Sequence, residues 1–153
     1  MLSLRYTRPM SLHGSYDSEN IFAKILRGEL PAAVIADEKF AVAIMDAFPQ
    51  APGHCLVIPK SPTRNLLDVA PKDMGRLFGL VQRVAIAVDK ALKPDGIIVN
   101  QFNGAPAGQT VFHTHVHIIP RHNGDAMAGH GNAEMGDADA LNALAVRIRA
   151  ALV

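Results

Sequence analysis

The sequence has little of what marks several large classes of protein. Its 153 residues include one cysteine and no tryptophan, and 15 Lys and Arg face 14 Asp and Glu, for a formal net charge of +1. The lone cysteine, Cys55, excludes an internal disulfide and indicates a reducing, cytoplasmic location. The apolar runs fall short of the ~18 residues that a membrane span needs. Because a basic patch is also missing, we predict neither nucleic acid nor a membrane as a partner.

What the chain does have is the composition of one globular domain, with 49% hydrophobic and 19% charged residues. Residues 1–17 hold two arginines and no acid before Asp17, and they lack the apolar centre of a secretory signal. We predict a flexible extension there, because disorder concentrates at termini. A single domain is predicted over residues 18–153, with a core over 18–125 and a C-terminal loop and helix over 126–153.

Hydrophobic periodicity predicts an α+β fold. Ser18 is predicted to cap a first helix, Pro71 to begin a second, and Asp137 or Asp139 to cap a third. Strands are predicted at residues 33–37, 40–46, 54–59, 96–102 and 111–119. Because several of these strands follow one another through short turns, we expect an antiparallel sheet of about five strands with the helices packed on it.

The segment VFHTHVHIIP, residues 111–120, carries three of the seven histidines at alternate positions. Alternate side chains of a strand point to the same face, so His113, His115 and His117 are predicted to form one row. Buried imidazoles need hydrogen-bond partners, and three in a row add nothing to the stability of a strand. A purely structural explanation is therefore disfavoured, which leaves metal binding and phosphate chemistry.

A zinc site would use a His-x-His pair with a third ligand such as His54. No cysteine cluster accompanies the row, and Asp46 and Asp125 lack ligand spacing. The preceding loop, NGAPAGQT, instead has small residues that let backbone N–H groups approach an anion, and Gln109 and Thr110 add neutral donors. Neutral imidazole is also a nucleophile toward phosphorus. These features favour phosphate chemistry without a metal or other cofactor.

The stretch HTHVHII resembles the His-φ-His-φ-His-φ-φ signature of the histidine triad (HIT) family, where φ is hydrophobic. IFAKILRGELPAAVI, DAFPQAPGHCLVIPK and AGQTVFHTHVHIIPR are similar to stretches of that family in the same order, over roughly residues 18–125. The N-terminal pieces resemble the Hint branch of nucleoside phosphoramidases. AGQTV and HIIPR are shared with the fragile-histidine-triad branch, which hydrolyses dinucleoside polyphosphates.

The resemblance implies a nucleotide hydrolase that cleaves at the α-phosphate. His115 would attack phosphorus in a purine nucleotide such as adenosine phosphoramidate, an AMP-lysine compound or a dinucleoside polyphosphate. Water would then release a nucleoside monophosphate from the covalent nucleotidyl-histidine. A backbone carbonyl would orient His115, His117 would hold phosphate oxygens, and Gln109 would lie beside the leaving group. His113 and His54 would lie behind the reacting groups and hold the row in register.

The resemblance also implies a nucleoside pocket and a homodimer whose sheet continues across the interface. Ile21, Phe22 and Ile44 would sandwich the base, and Asp46 would accept the ribose hydroxyls. The other substrate contacts that it implies are Asn103, Thr110 and Val111.

Three departures from the family pattern bear on function. Asn20 and Ala23 replace two cysteines that join a zinc site in many bacterial relatives, so we expect this structural zinc to be absent. The transferase branch has glutamine at the position of His117, so the histidine in this chain favours hydrolysis. Phe102 stands where relatives often have asparagine. The phosphate contact of that asparagine would pass to Asn100, Gln101 or Asn103.

Two other functions remain compatible with the sequence. One is a nucleotide sensor or interaction module with little turnover, and the other is a zinc hydrolase with the triad as ligands. The sequence leaves open the physiological substrate, the base preference and the choice between phosphoramidate and polyphosphate.

Overall fold

The computed structural model describes residues 12–126 and 133–153, which hold five strands and three α-helices. The strands are β1 (Val34–Asp37), β2 (Ala41–Met45), β3 (Cys55–Pro59), β4 (Gly96–Asn100) and β5 (Val116–Arg121). The helices are α1 (Ile21–Leu26), α2 (Pro71–Leu92) and α3 (Ala138–Ala151). All neighbours in the sheet order β1-β2-β3-β5-β4 are antiparallel. The predicted α+β class is confirmed.

The two faces of the sheet carry different layers because successive strand side chains alternate. Ala41, Ala43 and Met45 of β2 belong to the large core cluster beneath α2 and α3. Val42 and Ile44 belong to a smaller cluster with Phe22 of α1. β2 is therefore buried on both faces. The α1 face, with its thinner cover, is where a site can open.

The helix termini agree with the sequence predictions in part. α2 begins at Pro71, as predicted, and Asp137 caps α3 by accepting a hydrogen bond from the Ala140 N–H at 2.9 Å. The predicted cap at Ser18 is wrong. The Asn20 side chain caps α1 instead, because its carbonyl lies 2.9 Å from the Ala23 N–H and asparagine is a strong N-cap residue.

The strand predicted over residues 111–119 is shorter than its alternation suggests. β5 begins at Val116, which pairs with Val57 of β3. The next residue of β3 pairs with β2 but not with β5. Residue Thr114 donates its N–H to the Thr63 carbonyl at 2.9 Å, which draws the chain away from the sheet. Of the three histidines, only His117 lies on the strand.

Two further predictions concern the ends of elements and the extension. β4 ends at Asn100 instead of Phe102. The domain boundary predicted at residue 17 stays a prediction. Residues 1–11 of the predicted extension and residues 127–132 of the predicted C-terminal loop lie outside the described residues. In the described part of the chain, no helix is long and apolar enough to cross a membrane.

Candidate active site

A cavity of about 540 Å³ opens on the α1 face of the sheet. α1 and β2 form two of its walls, the start of α3 forms a third, and most of the lining is apolar. Eight residues predicted from the sequence line it, namely Ile21, Phe22, Ile44, Asp46, Thr110, Val111, His115 and His117. The predicted residues His54, Asn103, Gln109 and His113 are not among its lining residues.

His115 is oriented by the chain's own backbone. Its Nδ1 lies 2.7 Å from the His113 carbonyl oxygen, and the ring contacts Phe22 edge-on with centroids 4.8 Å apart. Because a carbonyl can only accept, Nδ1 carries the proton. In its neutral form the ring, which lines the cavity, therefore has its lone pair on Nε2, and a nucleophile attacks with such a lone pair.

His117 has the opposite tautomer, and its neighbours determine it. The Gln50 N–H donates to Nδ1 of His54 at 3.0 Å, which places the proton of a neutral His54 on Nε2. That Nε2 lies 2.9 Å from Nδ1 of His117, which must accept. His117 thus carries its proton on Nε2. The His115 and His117 rings, 5.0 Å apart, present an acceptor and a donor side by side.

His54 therefore pairs with His117, one member of the row that it was predicted to support. The sheet register gives the reason, since Leu56 of β3 lies directly opposite His117 of β5. His54, two residues before Leu56, is the diagonal neighbour of His117 on the same face. His113 lies before the strand and has other partners.

His113 is buried and held at both nitrogens. Its Nε2 lies 2.7 Å from the Pro59 carbonyl oxygen, and its Nδ1 lies 2.5 Å from the Tyr16 hydroxyl. Burial lowers the pKa of His113, so the ring is neutral at physiological pH. It supports the row from behind and stays outside the cavity.

The loop before the histidines turns its backbone N–H groups inward. The N–H groups of Ala107 and Gln109 donate to the Gly104 carbonyl, and the N–H of Gly108 donates to Ala105. The Gly104 N–H donates to the Gln109 side chain at 2.8 Å. These four groups are already hydrogen-bonded within the loop, and the predicted anion cradle stays a prediction.

Gln109 holds this loop from the inside. Its side-chain nitrogen donates to the Arg64 carbonyl at 2.7 Å and to the Val111 carbonyl at 3.0 Å, and the side chain is 2% exposed. Both N–H bonds of the amide are thus occupied. Gln109 thus stabilises the loop, and its predicted place beside a leaving group stays a prediction.

Two of the three amides that could contact phosphate are paired with each other. Gln101 and Asn103 exchange side-chain hydrogen bonds of 2.8 and 2.9 Å, and the Asn103 oxygen also accepts from the Leu66 N–H. Asn100 lies opposite His117 in the sheet. Its buried side-chain oxygen has no hydrogen-bond partner among the described residues. Asn100 is therefore better placed than Asn103, the predicted residue, to add a polar contact near His117.

Asp46 brings a carboxyl group to the edge of the apolar cavity. One of its oxygens accepts from the Phe48 N–H at 2.8 Å, and the other lies 3.3 Å from Nε2 of His54. Burial raises the pKa of this carboxyl to about 6, and the Phe48 N–H opposes the shift. Asp46 is still largely a carboxylate at neutral pH and can accept hydrogen bonds from a ligand.

Asp46, His54 and His117 bring three potential metal-ligand atoms within 4.8 Å of one another. Metal binding requires a lone pair on Nε2 of His54, whereas the Gln50 N–H at Nδ1 keeps the proton on Nε2. The zinc site of bacterial relatives does not fit either. Asn20 caps α1, and the buried Ala23 has no ligand atom. The donor sets therefore argue against a metal at both places.

Cys55 is not a competing nucleophile. Its side chain is fully buried, and burial together with the Asp46 charge raises the pKa of the thiol to about 12. A thiol needs its thiolate form to attack. The two histidines that line the cavity are thus the candidate reactive groups.

The C-terminal segment contributes a wall that the sequence did not reveal. Residues 133–142 line the cavity in part, with Met135 and Asn142 among them. The Gly136 N–H donates to the Ala47 carbonyl at 2.8 Å, which anchors the segment beside Asp46. This segment carries no motif, and its place depends on a contact distant in sequence. Tyr16 was missed for the same reason.

The comparisons with known proteins agree with this geometry. The HIT domain family model matches residues 27–124. A Hit-like protein from Bartonella henselae is similar at 46% identity and a TM-score of 0.85, over 90% of this chain and 99% of that one. A zinc-bound histidine triad family protein from Mycobacterium smegmatis is similar at 34% identity and a TM-score of 0.76, over 87% of this chain and 92% of that one. Adenylylsulfatase HINT3 of Arabidopsis thaliana is 36% identical over 107 residues, which make up 70% of this chain and 54% of that protein. The chain belongs to the HIT family.

Proposed function

We propose that this protein is a nucleotide hydrolase that cleaves at the α-phosphate through a covalent intermediate on His115. The observation that carries the proposal is the pair of opposite tautomers. His115 has its lone pair on Nε2, His117 has a proton on Nε2, and their rings lie 5.0 Å apart at the cavity. One ring can attack phosphorus while the other donates to a phosphate oxygen.

The reaction then has two displacements at phosphorus. Nε2 of His115 forms a bond to the α-phosphorus, and the bond from phosphorus to the leaving group breaks with its electron pair going to that group. Water next attacks the same phosphorus and loses a proton to the solvent, the P–N bond breaks with its electron pair returning to Nε2 of His115, and the nucleoside monophosphate leaves. In both transition states the N–H of His117 stabilises the charge that develops on the phosphate oxygens.

The cavity suits the nucleoside part of the substrate. The apolar side chains of Ile21, Phe22 and Ile44 line the cavity, as a slot for a flat base requires. The Asp46 carboxylate is the anionic acceptor in this lining, and the ribose hydroxyls would donate to it. Asp46, His115 and His117 all line the same cavity, so one nucleotide can reach the three groups.

Asp46 gives the proposal a pH-dependent test. Replacing Asp46 with asparagine should raise KM at pH 8 by about tenfold or more, because a carboxylate that accepts ribose hydroxyls is lost. In the wild type, KM should rise as the pH falls through about 6, where Asp46 takes up a proton. The asparagine variant should lose this dependence. If the KM values stayed equal in the two proteins, Asp46 would not be a ribose-binding residue.

The same substitution should stabilise the fold at high pH. The native pKa of about 6 lies above the ordinary 3.8, so the native state binds more protons than the unfolded state between these pH values. Stability therefore falls as the pH rises through this window. At pH 8 Asp46→Asn should gain ~1–3 kcal/mol in the free energy of unfolding, and near pH 4 the gain should vanish. Denaturant titrations at both pH values measure it.

A metal-free release of AMP tests the proposed chemistry. Purified protein would be incubated with EDTA and with adenosine phosphoramidate, diadenosine polyphosphate or adenylyl sulfate, the last because a relative is named an adenylylsulfatase. We expect AMP from at least one substrate at an unchanged rate. Activity that EDTA abolishes and zinc restores would favour the cluster of Asp46, His54 and His117 as a metal site. No AMP from any substrate would favour the nucleotide sensor.

The homodimer implied by the resemblance is also a proposal. β4 lies at one edge of the sheet and pairs with β5 on one side only. Its exposed Val99 adds an apolar side chain at that edge. An edge of this kind can pair with a second copy of the chain. The continued sheet stays a prediction, and so does the cytoplasmic location.

A further inference from the structure

Residues 12–16 lie against the loops that support the active site. The Asn65 side chain donates to the Leu12 carbonyl at 2.8 Å, and the Arg64 guanidinium donates to the Ser15 carbonyl at 3.3 Å. Gly104 has a φ of 84°, and a Cβ there would lie 3.3 Å from the Leu12 nitrogen. The segment is outside the residues that the HIT family model matches, 27–124. Family membership therefore says nothing about its role.

This segment places Tyr16 directly on His113. The Tyr16 hydroxyl lies 2.5 Å from Nδ1, and the two rings meet edge-on with centroids 5.5 Å apart. Nε2 of His113 faces the Pro59 carbonyl at 2.7 Å and must donate to it. In the neutral ring Nδ1 is then the acceptor, so Tyr16 is the donor. The hydroxyl and the carbonyl together fix both the tautomer and the rotation of the ring.

His113 is in turn the residue that orients His115. Its carbonyl oxygen accepts the Nδ1–H of His115 at 2.7 Å. Phe22 contacts both rings edge-on, with centroid distances of 6.5 Å to His113 and 4.8 Å to His115. A rotation of the His113 ring would break its bonds to Tyr16 and Pro59. It would also disturb the packing that holds the His113 carbonyl under His115.

We propose that Tyr16 is a positioning residue for the reaction. Its hydroxyl fixes the His113 ring, and the His113 carbonyl then keeps the Nδ1–H tautomer of His115 and the direction of its Nε2. The inference rests on the proposed role of His115 as the nucleophile. Tyr16 touches no substrate in this scheme, so its loss should affect the chemical step and leave binding unchanged.

The substitution Tyr16→Phe separates the hydroxyl from the packing of the ring. With adenosine phosphoramidate as substrate, kcat should fall about tenfold, and KM should stay within about twofold of the wild type. The rate of AMP-adduct formation in a single turnover should fall by the same factor as kcat. Tyr6→Phe makes the same chemical change elsewhere in the N-terminal segment and serves as the matched control.

Nitrogen NMR of the imidazoles supplies a readout that simple packing would not move. In the wild type, Nδ1 of His113 should be unprotonated and hydrogen-bonded, and Tyr16→Phe should shift its resonance toward that of a nitrogen without a donor. A protonated Nδ1 on His113 in the wild type would overturn the proposal, even if the variant failed to fold. So would an unchanged kcat, or a rise in KM alone, in a folded Tyr16→Phe. A wild type that releases no AMP would instead refute the proposed function.

Discussion

Replacing His115 with alanine should lower kcat/KM for AMP release by roughly a thousandfold or more, because the proposed nucleophile is removed. The ring lines the cavity, and its Nδ1 is hydrogen-bonded to the carbonyl of His113, two residues away. The sheet and both core clusters do not depend on it. The variant should therefore fold, with a far-ultraviolet spectrum like that of the wild type and retained nucleotide binding.

The exposed His122 offers a matched control for this substitution. Its ring is 51% exposed and lies 3.8 Å from the Asp95 carboxylate, away from the residues that line the cavity. His122→Ala should retain the wild-type kcat/KM within about twofold. If His115→Ala kept most of its activity under the same conditions, His115 would not be the nucleophile.

The second large effect is expected at His117. His117→Leu should lower kcat by about 100- to 1000-fold, because the proposed donor to the charge that develops on phosphate is lost. KM should change far less, since the nucleoside contacts remain. Stopped-flow measurement of leaving-group release, together with steady-state rates, separates these two constants.

Two further variants show whether the N–H of His117 is the group that matters. His117→Gln can present an amide N–H near the same place and should recover part of the lost activity. His54→Leu keeps His117 but removes the donor to its Nδ1, so the tautomer is no longer fixed. We expect an intermediate loss of kcat in this variant. Full activity in His117→Leu would exclude its role in stabilising charge.

Local patterns predicted the fold well. Alternating and helical periodicity found the five strands and three helices, because burial on a sheet or helix face leaves a direct mark on the sequence. The end of the histidine strand could not be predicted in this way. Residues 111–115 continue the alternation, but the chain leaves the sheet where Thr114 bonds to Thr63. That contact joins residues distant in the sequence and leaves no periodic signal.

Part of the cavity lining was predictable from the resemblance to a known family. The resemblance to the HIT family placed His115, His117 and Asp46 at one cavity, and the structure brings them there. The partner of His54 could not be predicted, because it depends on the register between β3 and β5. The place of Gln109 could not be predicted either, because an amide side chain can serve a loop as well as a ligand. Only the hydrogen-bond partners distinguish the two.

The most direct test of the account is the mass of the intact protein after rapid quenching with an adenosine substrate. We predict a transient increase of about one AMP, mapped to His115, that forms in the presence of EDTA and is absent from His115→Ala. The adduct should appear and decay at rates consistent with kcat. AMP release at the full rate without any adduct, or an adduct that persists in His115→Ala, would contradict covalent catalysis by His115.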